Sequence, residues 1–217
     1  MIMVHNLSSV TSVFNNFLAE IRDVKIQKDA MRFRRNLERV AEIMAYEVSK
    51  TLSYVDVSVE TPLGVAETKI LEEQPVLATI LRAGLAMHQG FLNYFDKADS
   101  AFVSAYRKHV TAEDFEIYVE YAAAPEIENK VLIITDPMLA TGASMITVYK
   151  ALLKFGKPKR VIICAGIASQ EAIEYVKMHL PAETQLFVGA IDKELTAQSY
   201  IVPGLGDAGD LAYGIKR

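Results

Sequence analysis

A single cysteine occurs in 217 residues. A lone Cys164 excludes an intramolecular disulfide framework and any cysteine-based zinc site, and it suits a reducing compartment. Positive charge is not in surplus either. Lys and Arg total 23 against 27 Asp and Glu, a net charge of −4, which leaves little basic surface for nucleic acid or an anionic membrane. Apolar runs are short, as in Val161–Ala165, far below the roughly 18 residues of a spanning helix. The opening residues, MIMVHNLSSVTSVFNNF, lack the basic stretch and following apolar run of a signal peptide. The expectation is a cytoplasmic chain with no membrane or nucleic-acid partner. His5, His88, His109 and His179 are scattered without HExxH-type spacing, so no histidine metal site is expected. Repeats, low-complexity tracts and Pro/Gly/Ser linkers are absent, and one domain over residues 1–217 is expected.

What is present is an ordinary globular composition, 51% apolar and 23% charged, which rules out disorder over most of the chain. The first fifty or so residues read as helical. Val13, Phe14, Phe17, Leu18 and Ile21 make one apolar stripe; Phe33, Leu37, Val40, Ala41, Met44 and Val48 make a second. The charged run Arg22 to Arg35 between them reads as a solvated connection entering the second helix. From Tyr54 the period becomes two, with Val55, Val57 and Val59 before a turn at Pro62 and Gly64, which predicts a hairpin over about 54–70. Beyond it, strands over Val76–Leu81, Ala101–Tyr106, Val131–Thr135, Arg160–Gly166 and Gln185–Ala190 are interleaved with helices over Ser144–Phe155 and Glu171–Leu180. That alternation predicts an α/β core over about 76–190, a mostly parallel sheet under helices on both faces. Ligands of such sheets bind at the carboxyl ends of the strands.

The richest such end is VLIITDPMLATGAS, Val131–Ser144. Thr135 and Asp136 are expected at the end of a buried strand, and Thr141, Gly142, Ala143 and Ser144 lead into a helix. Backbone N–H groups and the helix dipole there favour an anion, with hydroxyls from Thr141 and Ser144, and Asp136 is placed to hold neutral hydroxyls beside it. An ordinary strand–turn–helix with a serine N-cap fits the same residues, and the pattern alone allows both. It is not a P-loop, since no Gly-Lys-Ser/Thr follows. Arg82 ends one strand, where a guanidinium can grip phosphate bidentately or serve as a surface charge. Arg107 opens the charged stretch Lys108–Glu116, readable as a lid or as a plain hairpin loop. Gly204 to Gly209 satisfies GxGxxG, but only eight residues follow, too few for the βαβ unit a dinucleotide fingerprint requires. Those glycines suit a tight loop against a flat ligand. Cys164 reads as core. The run Arg32–Arg39 reads as a solvated helix face, with an interface or effector site as the alternative.

DPMLATGAS resembles the 5-phosphoribosyl-1-diphosphate (PRPP) loop of type I phosphoribosyltransferases, in the Asp-Pro form of the uracil branch. LRAGLAMHQG (Leu81–Gly90) is similar to the family's diphosphate segment, Tyr106-Arg107 to the pair opening its flexible loop, and YIVPGLGDAGD (Tyr200–Asp210) to its uracil-binding segment. Phe33-Arg34 and Tyr46-Glu47 fall at family-like spacing. The resemblance implies a type I phosphoribosyltransferase-like fold and transfer of the phosphoribosyl group of PRPP to uracil, giving UMP and diphosphate in pyrimidine salvage. It further implies PRPP contacts from Arg82, Arg107, Asp136, Pro137, Met138, Leu139, Ala140, Thr141, Gly142, Ala143, Ser144 and Asp207. Uracil contacts come from Ile201, Gly206, Asp207 and Ala208 in a base-binding segment at about 198–217, with Asp136 and Arg107 as the residues of catalysis. Mg²⁺ arrives with PRPP rather than at a dedicated site, and GTP activates some members, binding between subunits of a homo-oligomer, a dimer or a tetramer. Two positions depart from the usual pattern: Ala143 replaces the second Gly of LATGGS, and Ala86 replaces a Gly of LRAGLG. A transferase for another base, a non-enzymatic sensor and an RNA-binding regulator are the alternative readings.

Overall fold

The structure, a computed structural model, describes residues 2–109 and 115–216, with backbone alone at 106–109 and 115–117. It opens with β1 (Met3–Asn6), within the stretch whose sequence reads as helical. Four residues are too few to display a period of their own, and β1 is held by parallel pairing, Met3 opposite Gln185 through Asn6 opposite Val188. The two expected helices follow as α1 (Val13–Arg22) and α2 (Ala30–Ser49). Each starts at a side-chain cap: Ser12 Oγ accepts from the Phe14 amide at 3.3 Å, and Asp29 Oδ1 from the Arg32 amide at 3.0 Å. Helix α2 thus begins inside the charged run read as a connection. Glu20 holds it there, accepting from Arg32 at 2.7 and 2.8 Å and from buried Asn36 at 2.6 Å. These donors, Arg32 first, bring the Glu20 pKa down to about 2.

Strands β2 (Tyr54–Thr61) and β3 (Gly64–Leu71) form the expected hairpin, separate from the main sheet. The α/β part then runs β4 (Val76–Leu81), α3 (Leu85–Leu92), β5 (Asp99–His109), β6 (Phe115–Ala123), β7 (Val131–Leu139), α4 (Ala143–Leu152), β8 (Arg160–Ser169), α5 (Gln170–His179) and β9 (Gln185–Asp192). The small pair β10 (Glu194–Leu195) and β11 (Ile201–Val202) and the short α6 (Ala208–Tyr213) complete the chain. The central sheet has the order β1-β9-β8-β7-β4-β5-β6, parallel except where β6 runs against β5.

Several expected boundaries move, and β5, β8 and β9 run past their expected ends to His109, Ser169 and Asp192. Strand β7 does not end at Thr135: it pairs on to Leu139, with Asp136 opposite Ala165 and Met138 opposite Ile167, because β8 runs on beside it to Ala168. Helix α4 closes at Leu152, and a 3-10 turn carries the chain to Phe155. The ends of the expected lid belong to strands β5 and β6, paired out to His109 and Phe115. Residues 110–114, and the side chain of Arg107, lie outside the described residues.

Alternation along the buried strands splits the core in two. Ile133, Ile162, Cys164 and Phe187 meet α1, α2 and α3 through Phe14, Phe33, Leu37, Met44, Met87 and Phe91. Leu132, Ile134 and Ile163 meet α4 and α5 through Met145, Ile146, Val148, Ile173 and Val176. A sheet buried on both faces exposes its chemistry at its ends.

Candidate active site

Two adjoining clefts open at the carboxyl end of the sheet, and Asp136, Met138 and Asp207 line both. The first, of about 330 Å³, is lined by the loop from Leu139 to Gly142, by Ser144 and Met145, and by Gln198, Ser199 and Tyr200 from across the gap. Its floor is the start of α4. The cap there is not a serine: Gly142 occupies it with φ of 81° and offers the helix end no side chain. A left-handed cap admits glycine most readily. Apart from the Ala143 amide, which Thr141 engages, the first turn keeps its amides and its dipole for an anion. Thr141 Oγ1 lies 3.4 Å from the Ala143 amide. Ala143 itself is helical and not among the positive-φ residues, so its extra methyl causes no backbone strain. Ala86 lies inside α3, packed into the core.

Asp136 stands between the clefts, on the extended part of β7. Burial of its carboxyl drives the pKa up to about 7, against the opposing effect of the Met138 amide that donates to it. Thr135, in contrast, is fully buried, its hydroxyl donating to the Ala78 carbonyl at 3.3 Å. It is structural.

The second cleft, of about 520 Å³, contains Arg82, Ala83, Ser104, Glu120, Pro137 and the segment Asp207–Asp210. Arg82 Nη2 donates to Asp210 Oδ1 at 3.2 Å and to the Gly214 carbonyl at 3.1 Å. Glu120 falls where the β5–β6 register shifts, between the pairs Ser104–Tyr121 and Ala105–Val119; such a bulge re-aims a side chain.

The C-terminal segment is anchored from three helices. Arg22 forks onto Asp192 at 2.8 and 2.9 Å and also donates to the Gly204 carbonyl at 3.0 Å, while Asp192 accepts from the Gly204 amide at 2.9 Å. Gly204 has φ of 57°, and a Cβ there would strike the Ile201 carbonyl. Arg34 donates to the Ala212 carbonyl at 2.6 Å, and the Tyr213 hydroxyl bonds the backbone at Ala86. Asp207 caps α6, accepting from the Asp210 amide at 2.9 Å. The side chains of Ile201, Leu205 and Ala208 turn into the core, so at these positions the strip offers its backbone for contact.

Of the residues expected at the site, Arg82, Asp136 through Gly142, Ser144, Asp207 and Ala208 line these two clefts. Ile201, Gly206 and Ala143 line neither. Arg22, Asp192, Glu120 and Ser104 escaped the sequence reading. No local signal marks Arg22 or Asp192, which meet across 170 positions. The run Arg32–Arg39 is engaged within the chain: Arg32 with Glu20, Arg34 with the Ala212 carbonyl, Arg35 with Glu38 and Glu42, Arg39 with Asn36. The six-residue α6 starts no βαβ unit, in line with the failure of the dinucleotide reading.

A family model described as uracil phosphoribosyltransferase matches residues 9–215. A uracil phosphoribosyltransferase of Porphyromonas gingivalis is 55% identical over 213 residues, covering 98% of this chain and 99% of its own. The solved structure of the AQ2163 protein from Aquifex aeolicus is 29% identical, with a TM-score of 0.86 over 98% of this chain and 99% of that one. Orotate phosphoribosyltransferase from Mycobacterium tuberculosis, solved in complex with PRPP, shares the fold alone, at 10% identity and a TM-score of 0.51 over 85% of this chain and 92% of that one. The fold is that of the type I phosphoribosyltransferases, and with most of its length matched in this way the chain belongs to the uracil phosphoribosyltransferase family.

Proposed function

We propose that the chain transfers the 5-phosphoribosyl group of PRPP to uracil, releasing diphosphate and giving UMP. The observation that carries this reading is the glycine-capped N-terminus of α4, open to a cleft that Asp136 joins to the cleft of Arg82. One arm of the substrate is a phosphate monoester, suited to the α4 amides and the hydroxyls of Thr141 and Ser144. Between the clefts, Asp136 accepts hydrogen bonds from the ribose hydroxyls. Arg82 binds the diphosphate, and the family resemblance adds Arg107. Uracil lies against the backbone of Ile201, Gly206 and Ala208: amides of Ile201 and Ala208 donate to its carbonyls, and the Gly206 carbonyl accepts the N3 proton.

Substitution at the anomeric carbon passes through a state of oxocarbenium character, with negative charge growing on the leaving diphosphate. The guanidinium of Arg82 faces that charge, and its planar donors match the geometry of a phosphate. As the family resemblance implies, Mg²⁺ is carried in by PRPP with its own water. Bound that way, Mg²⁺ supplies charge neutralisation on the diphosphate.

A homo-oligomer is part of the proposal. A two-stranded hairpin is marginal alone, and β2–β3 exposes Val55, Val59 and Ile70, with Val55 opposite Ile70 and Val59 opposite Ala66. Among the described residues no helix is long and apolar enough to cross a membrane; a cytoplasmic setting is part of the proposal, with Cys164 a buried free thiol. The test is formation of UMP and diphosphate from uracil and PRPP with Mg²⁺, run with and without GTP, alongside the molar mass in solution. Absence of UMP from the folded protein contradicts the reading.

A further inference from the structure

One carboxylate links the turn of Arg82 to the C-terminal segment. Asp210, on α6 of the base-binding segment, accepts from Arg82 Nη2 at 3.2 Å, and the same oxygen accepts from the Lys216 amide at 3.1 Å. Arg82 Nη2 also reaches the Gly214 carbonyl at 3.1 Å. The guanidinium is therefore tied by one terminal nitrogen to both ends of α6, at Asp210 in its first turn and at the Gly214 carbonyl just past its last. Its Nη1 and Nε have no partner among the described residues, and the side chain lines the cleft assigned to the diphosphate. Backbone is close at hand as well: a Cβ added at Gly209 would lie 3.9 Å from Arg82 Nη2.

The usual view of a carboxylate beside an anion site is that it repels the anion. The geometry here points the other way. An arginine on a glycine-containing turn has four side-chain rotors to fix, and anchoring one nitrogen lowers the ordering cost of using the others. We infer that Asp210 is a positioning residue: it holds Arg82 by Nη2 so that the remaining guanidinium edge is presented to the diphosphate, and it fastens that arginine to the segment that reads the base. The inference rests on the PRPP reading of the cleft. It goes beyond that reading because it joins the diphosphate turn to α6 through a residue that contacts neither phosphate nor base.

Two variants separate holding from repulsion. Asp210→Asn keeps an oxygen acceptor for Arg82 and Lys216 but removes the charge; Asp210→Ala removes both. The side chains of Arg82 and Asp210 are 41% and 34% exposed, and so exposed a pair adds little to folding, so both variants are expected to fold. Binding of inorganic diphosphate with Mg²⁺, followed by calorimetry, is the direct probe. We expect Asp210→Ala to weaken it about fivefold, and Asp210→Asn to bind as tightly as the parent or slightly tighter. In turnover, the KM for PRPP should rise in the alanine variant with kcat within about twofold, and asparagine should restore it. Diphosphate binding that tightens or stays unchanged in Asp210→Ala overturns the inference, as does an asparagine variant as weak as the alanine one. If the parent forms UMP while both variants match it, the positioning role alone fails. If the parent binds neither diphosphate nor PRPP, the PRPP reading and this inference fall together.

Discussion

Asp136 has a charge that conditions control. Its carboxyl, raised to about 7 by burial, is largely neutral at pH 6 and largely ionised at pH 8. The folded protein therefore binds more protons here than the unfolded chain between about pH 4 and 7. Stability falls as pH rises through that window, then levels off above it. Asp136→Asn should remove this slope while lowering kcat/KM by about 10²-fold or more through loss of a charge-assisted bond to the ribose. The parent's kcat/KM for PRPP should rise with pH through about 7, and the variant's limb should be flat. Near-normal turnover in a folded Asp136→Asn removes the residue from the ribose site. Ala143 sets the opposite case. Since its φ is helical, Ala143→Gly should change the KM for PRPP by less than about twofold, and a large gain in affinity would show that the methyl obstructs the cradle. The strand–loop–helix pattern singled out Asp136 and the loop to Ser144, and the structure sets both along one cleft. The pattern could not identify the cap, because Gly142 and Ser144 are both good capping residues and only the dihedral at Gly142 decides between them.

Elements give the site its rigidity, and here the sequence was only half legible. Long amphipathic or buried stretches such as α2, β7 and β8 announce themselves by period. Strand β1 and helix α6 do not, being four and six residues long and held by tertiary contacts. Strand β6 was hidden because FEIYVEYAA follows a charged stretch and owes its place to pairing with β5. The anchor between α1 and the segment after β9 is likewise silent in sequence. The Arg22–Asp192 pair has 7% exposure on the aspartate side, so Asp192→Ala strips the Gly204 amide of its acceptor and leaves Arg22 only the Gly204 carbonyl. A cost of about 2–3 kcal/mol is expected, with weaker uracil binding because the Gly204 turn loses its clamp; unchanged thermal stability and uracil KM would refute this. Helix α3 supplies a test in acid. His88 is buried, its Nε2 3.0 Å from Ser100 Oγ, and burial holds its pKa down at about 4. The unfolded chain gains that proton near 6.5, the folded one only near 4, so stability present above pH 6.5 is lost as pH falls toward 4. Denaturant unfolding at pH 7 and pH 5 should show a smaller loss in His88→Gln than in the parent. Equal losses would mean that His88 is not the titrating group.

At the scale of the whole molecule, the order β1-β9-β8-β7-β4-β5-β6 sets the strand ends of β4 and β7 side by side, and that adjacency places Arg82 and Asp136 on one cleft. Alternating strand and helix signals made the fold class readable, since a parallel sheet needs its crossovers. What spacing could not reveal is that the C-terminal segment returns to the same edge, tied down by Arg22, Arg34 and Arg82 from three separate places. In the proposed reaction this assembly reads uracil through its backbone and transfers phosphoribose to it. No Asn, Gln or His occurs in Ile201–Asp210, so the donor–acceptor order of the backbone must make the choice. Cytosine reverses two of those contacts, each mismatch costing about 1–3 kcal/mol, and purines exceed the strip in size. The most direct measurement offers uracil, cytosine, orotate and hypoxanthine with PRPP and Mg²⁺ and quantifies each nucleotide formed. UMP should dominate, with cytosine disfavoured about 10²–10⁴-fold; comparable turnover of cytosine, or a purine nucleotide as the main product, would contradict the account.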